Sequence, residues 1–168
     1  MDNSQVVWNR KEVGNMADVN DVAAYILDKR GPMSTMKLQK LCYYTQGWSL
    51  AWDERPLFEN PIQAWANGPV ICDLYRQHRG QFSVNTWPRG DTSRLTDSEA
   101  ETIDVVLGSY GDLSGQQLSD MTHEERPWLD ARGDIPDGES SDAVIDLDVM
   151  QDFFGGLDSA LRVANRSE

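Results

Sequence analysis

MKLQKLCYYTQGWSLAW, residues Met36 to Trp52, is the stretch on which the fold turns. Leu38, Leu41, Cys42, Thr45, Trp48, Ser49 and Trp52 recur at helical spacing and predict a continuous inner stripe. Ser34 or Thr35 stands where an N-cap is needed, and Asp53-Glu54-Arg55-Pro56 supplies the turn that ends the helix. Lys37, Lys40 and Tyr44 fall toward the opposite side, with Gln39, Tyr43 and Gln46 between. This polar half has two readings. It is a solvated face with locally satisfied hydroxyls, or it contacts a partner or fixes a neighbouring loop. Tyr and Trp suit the second, since they offer large contact area with few rotors to freeze.

Upstream, Val19, Val22, Ala23, Ile26 and Leu27 predict a helix over 18–30, stopped by Gly31-Pro32. Downstream, Pro56 and Pro61 bracket a non-helical piece, and Ile62-Gln63-Ala64-Trp65 alternates as a short strand does. Asn67-Gly68-Pro69 reads as a turn, with Pro69 near the first position of a helix running to His78. Phe82 to Trp87 reads as another short extended piece. Thr96 with Glu99, and Ser114 with Gln117, are capping boxes that open two further helices. Pro127 to Arg132 adds a helical turn, Gly133 to Asp142 a loop, and Ala143-Val144-Ile145 a short strand. Asp148 is the expected cap of a last helix bearing Val149, Met150, Phe153, Phe154 and Leu157. The expected fold is mainly α: a single compact helical domain over 16–160 with a minor short β element, α+β at the margin. Residues 161–168 read as a tail.

Residues 1–15 read as an unstructured leader. Lys11-Glu12-Val13 can be encoded by a sequence resembling a bacterial ribosome-binding site just ahead of Met16, which makes Met16 a candidate start; a short native tail is the alternative.

The chain has 168 residues, room for one domain with a real core. Its net charge of −13 disfavours nucleic acid, whose phosphates need Lys and Arg, and suits a basic protein partner. Asp91 to Glu101 and Asp134 to Asp148 are the acidic segments such a partner would meet, or simply solvated surface. Cys42 and Cys72 sit in apolar helical patterns and read as buried free thiols. With no long apolar run and no apolar signal segment near the start, a cytoplasmic protein without membrane association is expected.

Catalytic signatures are sparse. His123-Glu124-Glu125 is half of a zinc-protease motif, but residue 127 is Pro and no second His follows. Cys42 lies in an apolar stripe, where a thiol is inert. There is no GxSxG, and Gly155-Gly156 lacks the Lys of a phosphate loop. No catalytic residue, metal or cofactor is expected. A helix-turn-helix built on the first two helices would have only Lys37 and Lys40 to offer DNA.

The same segments taken together say more. MKLQKLCYYTQGWSLAW is followed by RPLFENPIQAWANGPVICDLY, then by Leu95-Thr96-Asp97-Ser98-Glu99, then by LSDMTHEERPW from Leu118 to Trp128. In this order they resemble the Panacea domain, a family of bacterial and phage antitoxins that includes the SocA-like antitoxins. The resemblance runs from about Val19 to Phe154. Cys42 stands where Leu is common and Asn67 where a bulkier residue is common. The resemblance implies the neutralising half of a two-gene toxin–antitoxin pair, binding directly to a toxin encoded by the adjacent gene. The family's toxins differ widely in chemistry. The SocA branch implies an alternative, an adaptor delivering its toxin to the ClpXP protease. Two further alternatives remain: an enzyme reversing the toxin's modification, and a DNA-binding autorepressor.

Candidate toxin contacts or family-motif residues are Lys37, Gln39, Lys40, Tyr43, Tyr44, Gln46 and Trp48 of the opening helix, with Trp65, Gly68, Pro69, Tyr75, His123 and Trp128 downstream. Each also has a structural reading. Trp65 fills the space between the Gly68-Pro69 turn and the helix after it. Thr122 or His123 ends a helix, and Trp128 packs the last helix against the opening one. The functional alternative for the last pair is an exposed His–Trp patch.

Overall fold

A computed structural model describes residues 16–166. The expected leader lies outside the described residues. Asp18 caps helix α1 (Val19–Arg30) through a capping box with Asp21, and Gly31 (φ +78) ends it. Strand β1 (Met33–Ser34) leads into α2 (Thr35–Asp53), with the Ser34 hydroxyl accepting from Lys37 N and Glu54 left-handed at its C-terminus. Residues 38–50 of α2 are buried without a break. The helix is therefore the axis of the molecule: α7 (Leu147–Arg166), α4 (Asp97–Tyr110), α5 (Gly115–Thr122) and α1 all pack against it. Of the two readings of its polar half, the solvated face is absent over residues 38–50. A helix enclosed all round must satisfy its polar side chains internally; Gln39, Tyr44, Gln46 and Trp48 do so, while the Tyr43 hydroxyl and the Lys40 ammonium have no partner among the described residues.

Strands β2 (Ile62–Trp65) and β3 (Gly68–Ile71) form an antiparallel hairpin that pairs Ile62 with Ile71 and Trp65 with Gly68. Helix α3 (Cys72–His78) follows directly. Pro69 is thus a strand residue and not the first residue of a helix. Its nitrogen has the parity of Ile71 N, which points away from β2 to Gln39, so the missing N–H costs the hairpin no bond. The expected strand near Val144 is a single antiparallel bridge to Gln63, flanked by Ala64 N to Ala143 O and Ile145 N to Ile62 O, each 2.8 Å. A second short ladder joins β1 to β4 (Ser83–Val84).

Both predicted capping boxes open their helices, Thr96 with Glu99 for α4 and Ser114 with Gln117 for α5. Helix α6 spans Arg126–Arg132. The cap of α7 is Asp146 rather than Asp148: its carboxylate accepts from Asp148 N at 2.7 Å and Val149 N at 3.3 Å. Residues 161–166 continue that helix with exposed side chains. The result is mainly α, seven α-helices among the described residues with two small two-stranded sheets. No helix among them is long and apolar enough to cross a membrane.

Candidate functional site: a cavity beside the central helix

Two glutamines of α2, Gln39 and Gln46, bind extended chain as a neighbouring strand would. The Gln39 Oε1 accepts from Ile71 N at 2.8 Å while its Nε2 donates to Ile71 O at 3.2 Å. The Gln46 Oε1 accepts from Leu57 N and Phe58 N at 2.7 and 3.2 Å, and its Nε2 donates to Phe58 O at 2.8 Å. Each amide satisfies main chain that has no ladder partner on that side.

The far side of the hairpin is held from α5 and α6. Four successive carbonyls are taken in order: Ala64 O by Arg132, Trp65 O by Trp128 Nε1, Ala66 O by His123 Nε2 and Asn67 O by the Ser119 hydroxyl. His123 Nδ1 also meets Ser119 O at 2.6 Å, its ring lies 4.2 Å from that of Trp128, and the Arg132 guanidinium covers the Trp128 ring at 4.8 Å. Trp128 is 1% exposed, so the alternative of an exposed His–Trp patch is ruled out for this pair. The indole N–H fastens α6 to the hairpin. Ser119 and Arg132 were missed in the sequence, because nothing local shows that their partners lie more than fifty residues upstream.

Held on both sides, the hairpin walls a cavity of about 820 Å³ against the N-terminal half of α2, α3 and residues 140–142. Met36, Trp65, Val70 and Tyr75 give it an apolar wall; Thr35, Gln39, Lys40, Gln63, Ala66, Asn67, His78, Ser140, Ser141 and Asp142 complete it. Trp65 and Tyr75 meet edge to face at 4.8 Å, and both are partly exposed. Trp65 Nε1 is anchored to Gln63 Oε1 at 2.8 Å.

The polar groups of the cavity are ordered by one another. Ile71 N fixes which end of the Gln39 amide is oxygen, so its NH₂ faces His78 Nε2 at 3.0 Å, and that nitrogen must accept. His78 is therefore held neutral, and burial lowers its pKa in the same direction, helped by the charge of Lys40. Lys40 is 2% exposed, and its ammonium has neither a hydrogen-bond nor an ion-pair partner among the described residues. Burial alone brings its pKa from 10.5 to about 8. Gly68 is glycine for this reason: with φ +116, a Cβ there would lie 2.7 Å from Lys40 Cε and 2.9 Å from Thr122 Oγ1.

Of the candidate residues, Gln39, Lys40, Trp65 and Tyr75 line the cavity, and Gly68 and Pro69 shape its hairpin wall. The others lie elsewhere. The Lys37 ammonium donates to Gly111 O at 2.6 Å, fastening α2 to the end of α4. Tyr43 and Tyr44 are fully buried; Tyr44 donates to Glu125 Oε1 at 2.9 Å, and its ring stacks on Tyr110 at 4.3 Å. Trp48 Nε1 donates to the Tyr110 hydroxyl at 3.0 Å. Met36, Val70, His78 and residues 140–142 were missed, though the alternation of Ile62 to Trp65 carried a hint of a wall.

For nucleophilic chemistry, Cys42 is fully enclosed and burial pushes its thiol far up. Among the described residues, no three His, Cys, Asp or Glu side chains are grouped to hold a metal ion.

Comparison with known proteins agrees with the motif order. Residues 38–129 match the family described as Antitoxin SocA-like, Panacea domain. The chain is also 31% identical over 128 residues to Antitoxin SocA of Caulobacter vibrioides (strain NA1000 / CB15N), an alignment spanning 66% of this chain and 68% of that protein. No solved structure matches. The matched segment holds α2 from Leu38 onward, the hairpin, α3 and three of the four side chains that bind the hairpin carbonyls, Ser119, His123 and Trp128, so this chain belongs to the SocA-like antitoxin family, built on the Panacea domain.

Proposed function

We propose that this chain neutralises a cognate toxin, encoded by the adjacent gene, by binding it directly in the cytoplasm, as in a type II toxin–antitoxin system. Support comes from the family and from one arrangement: the partly exposed Trp65–Tyr75 pair at an open cavity, Trp65 on a hairpin clamped from both sides and Tyr75 on the helix that follows it. A rigid aromatic pair of this kind makes a good anchor, because little side-chain freedom is lost on binding. Gln39, Tyr44 and Gln46 of α2, engaged internally, support that surface rather than forming it. Tyr75 and Trp65 are the leading toxin contacts; His123 and Trp128 act by holding the hairpin.

In this reading the chain acts as a binder, without catalysis, metal or cofactor, and covers or distorts the toxin. Nucleic acid is not a partner, given 28 acidic against 15 basic residues.

Co-expression with the neighbouring gene and affinity purification test it. Rescue of growth with a near-equimolar complex is expected, undiminished in a strain lacking ClpX. Rescue that disappears without ClpX points to the adaptor, rescue at far below equimolar dose to an enzyme, and no rescue with no complex overturns the proposal.

A further inference from the structure

The cavity holds a feature that clamping the hairpin does not require. Lys37, one turn away, is spent on a carbonyl, whereas Lys40 is buried more deeply and spends its ammonium on nothing within the described residues. Burying a charge without a partner is among the costliest arrangements in a protein, and natural chains keep it where the charge has work outside the fold.

The surroundings define the complement. The charge is single, with no arginine in the lining and no run of main-chain N–H groups, so a polyphosphate is poorly matched. Trp65, Tyr75, Met36 and Val70 offer flat and apolar surface beside it. His78 is neutral and has one nitrogen taken by Gln39. The titratable groups sharing the lining are Tyr75 and His78 from α3 and Asp142 from the loop before α7; Asp142 is exposed at the rim and leaves Lys40 uncompensated.

We propose that this cavity is a binding site for a carboxylate attached to an apolar or aromatic body, the Lys40 ammonium serving as counter-charge and Trp65 and Tyr75 flanking the body. The carboxylate could be carried by a polypeptide, as a chain end, or by a free small acid; the chemistry is the same. The inference concerns the free chain and goes beyond the toxin-binding reading, so the two stand or fall separately.

The chain has four lysines, Lys11, Lys29, Lys37 and Lys40, so carbon-labelled lysine side chains give few NMR signals, and loss in Lys40→Met identifies the relevant one. The full chain is titrated at pH 7 with benzoate against benzamide, and with N-acetylphenylalanine against its amide. Binding of at least one carboxylate on the order of tenfold tighter than its amide is expected, with the Lys40 titration moved upward from about 8 and the preference lost in Lys40→Met. Tighter N-acetylphenylalanine assigns a chain end; tighter benzoate assigns a small acid. Equal affinity for acid and amide in both pairs, or a Lys40 titration that saturating acid leaves in place, overturns the proposal on the wild-type chain alone. A toxin complex that still forms in that case leaves the proposed function intact.

Discussion

The edge of the Phe154 ring occupies the space in which a side chain on residue 47 would begin: a Cβ at Gly47 would sit 2.2 Å from Phe154 Cε2. The same ring meets Tyr43, Tyr44 and Trp48 edge to face at 5.4–6.0 Å, so it has no direction in which to yield. Gly47→Ala gains about 1 kcal/mol in helix propensity but overpacks the α2–α7 contact. A net loss of about 2 kcal/mol is expected from urea unfolding, partly recovered by adding Phe154→Leu. Unchanged stability of Gly47→Ala would contradict this packing.

Gln39→Glu keeps the shape of the side chain and removes its donors. A carboxylate would then face Ile71 O and the accepting nitrogen of His78, both acceptors. The cost expected is about 3 kcal/mol, as for a buried group turned against its partners. Gln39→Met, which brings no charge, should cost less. The order of the two urea midpoints checks the argument.

Glu125 is raised from 4.5 to about 7, first by burial, with the Tyr44 hydroxyl working in the opposite direction. Its native pKa lies above its unfolded one, so the native state binds the extra proton between these values. Stability from this group is full below pH 4.5 and is lost as pH rises through about 7, by at most about 3 kcal/mol. Tyr44→Phe removes the bond that lowers this pKa and should push the Glu125 titration higher, read by carboxyl-carbon NMR. A downward move would refute the assignment.

Lys40 has the reverse sign. Its native pKa, about 8, lies below the unfolded 10.5, so the unfolded chain binds the extra proton and stability climbs with pH across that window. Lys40→Met should remove that climb and stabilise the chain at pH 7 by up to about 3 kcal/mol, while losing whatever the ammonium binds. Denaturation midpoints of both proteins at pH 7 and above the window test this; a less stable Lys40→Met would mean that the ammonium is satisfied in the fold.

Trp65→Ala and Tyr75→Ala should leave the fold cooperative and weaken the toxin complex tenfold or more, about 1.4 kcal/mol each at least. Lys29→Ala, beside the Tyr25 ring and away from the cavity, serves as the control. Titration of purified toxin with each variant decides. Equal affinity across all three would place the interface elsewhere.

Local signals were legible in the sequence wherever a residue acts on its own turn. Ser34, Thr96 and Ser114 cap the helices they precede, and Gly31 ends the first; the capping box of Asp18 with Asp21 was not read from the sequence. Two such signals misled. Pro69 reads equally as the first residue of a helix or as an outward-facing strand residue, and only the pairing of Ala64 with Pro69 decides for the strand. Asp146 and Asp148 are both competent caps, and the chain direction at Ile145, set by its bond to Ile62 O, selects the first.

The order of motifs along the chain was enough to reveal the family and the mainly helical architecture, because both depend on residue types at fixed spacing. What the polar side chains of the opening helix do was a tertiary matter. Gln39, Tyr44 and Gln46 have the composition of a wet surface, yet they are buried on partners 32, 81 and 11–12 residues away, distances at which spacing carries no information. Lys40, chemically the twin of Lys37 in the sequence, differs from it only because Gly68 and Thr122 close over one and Gly111 O reaches the other.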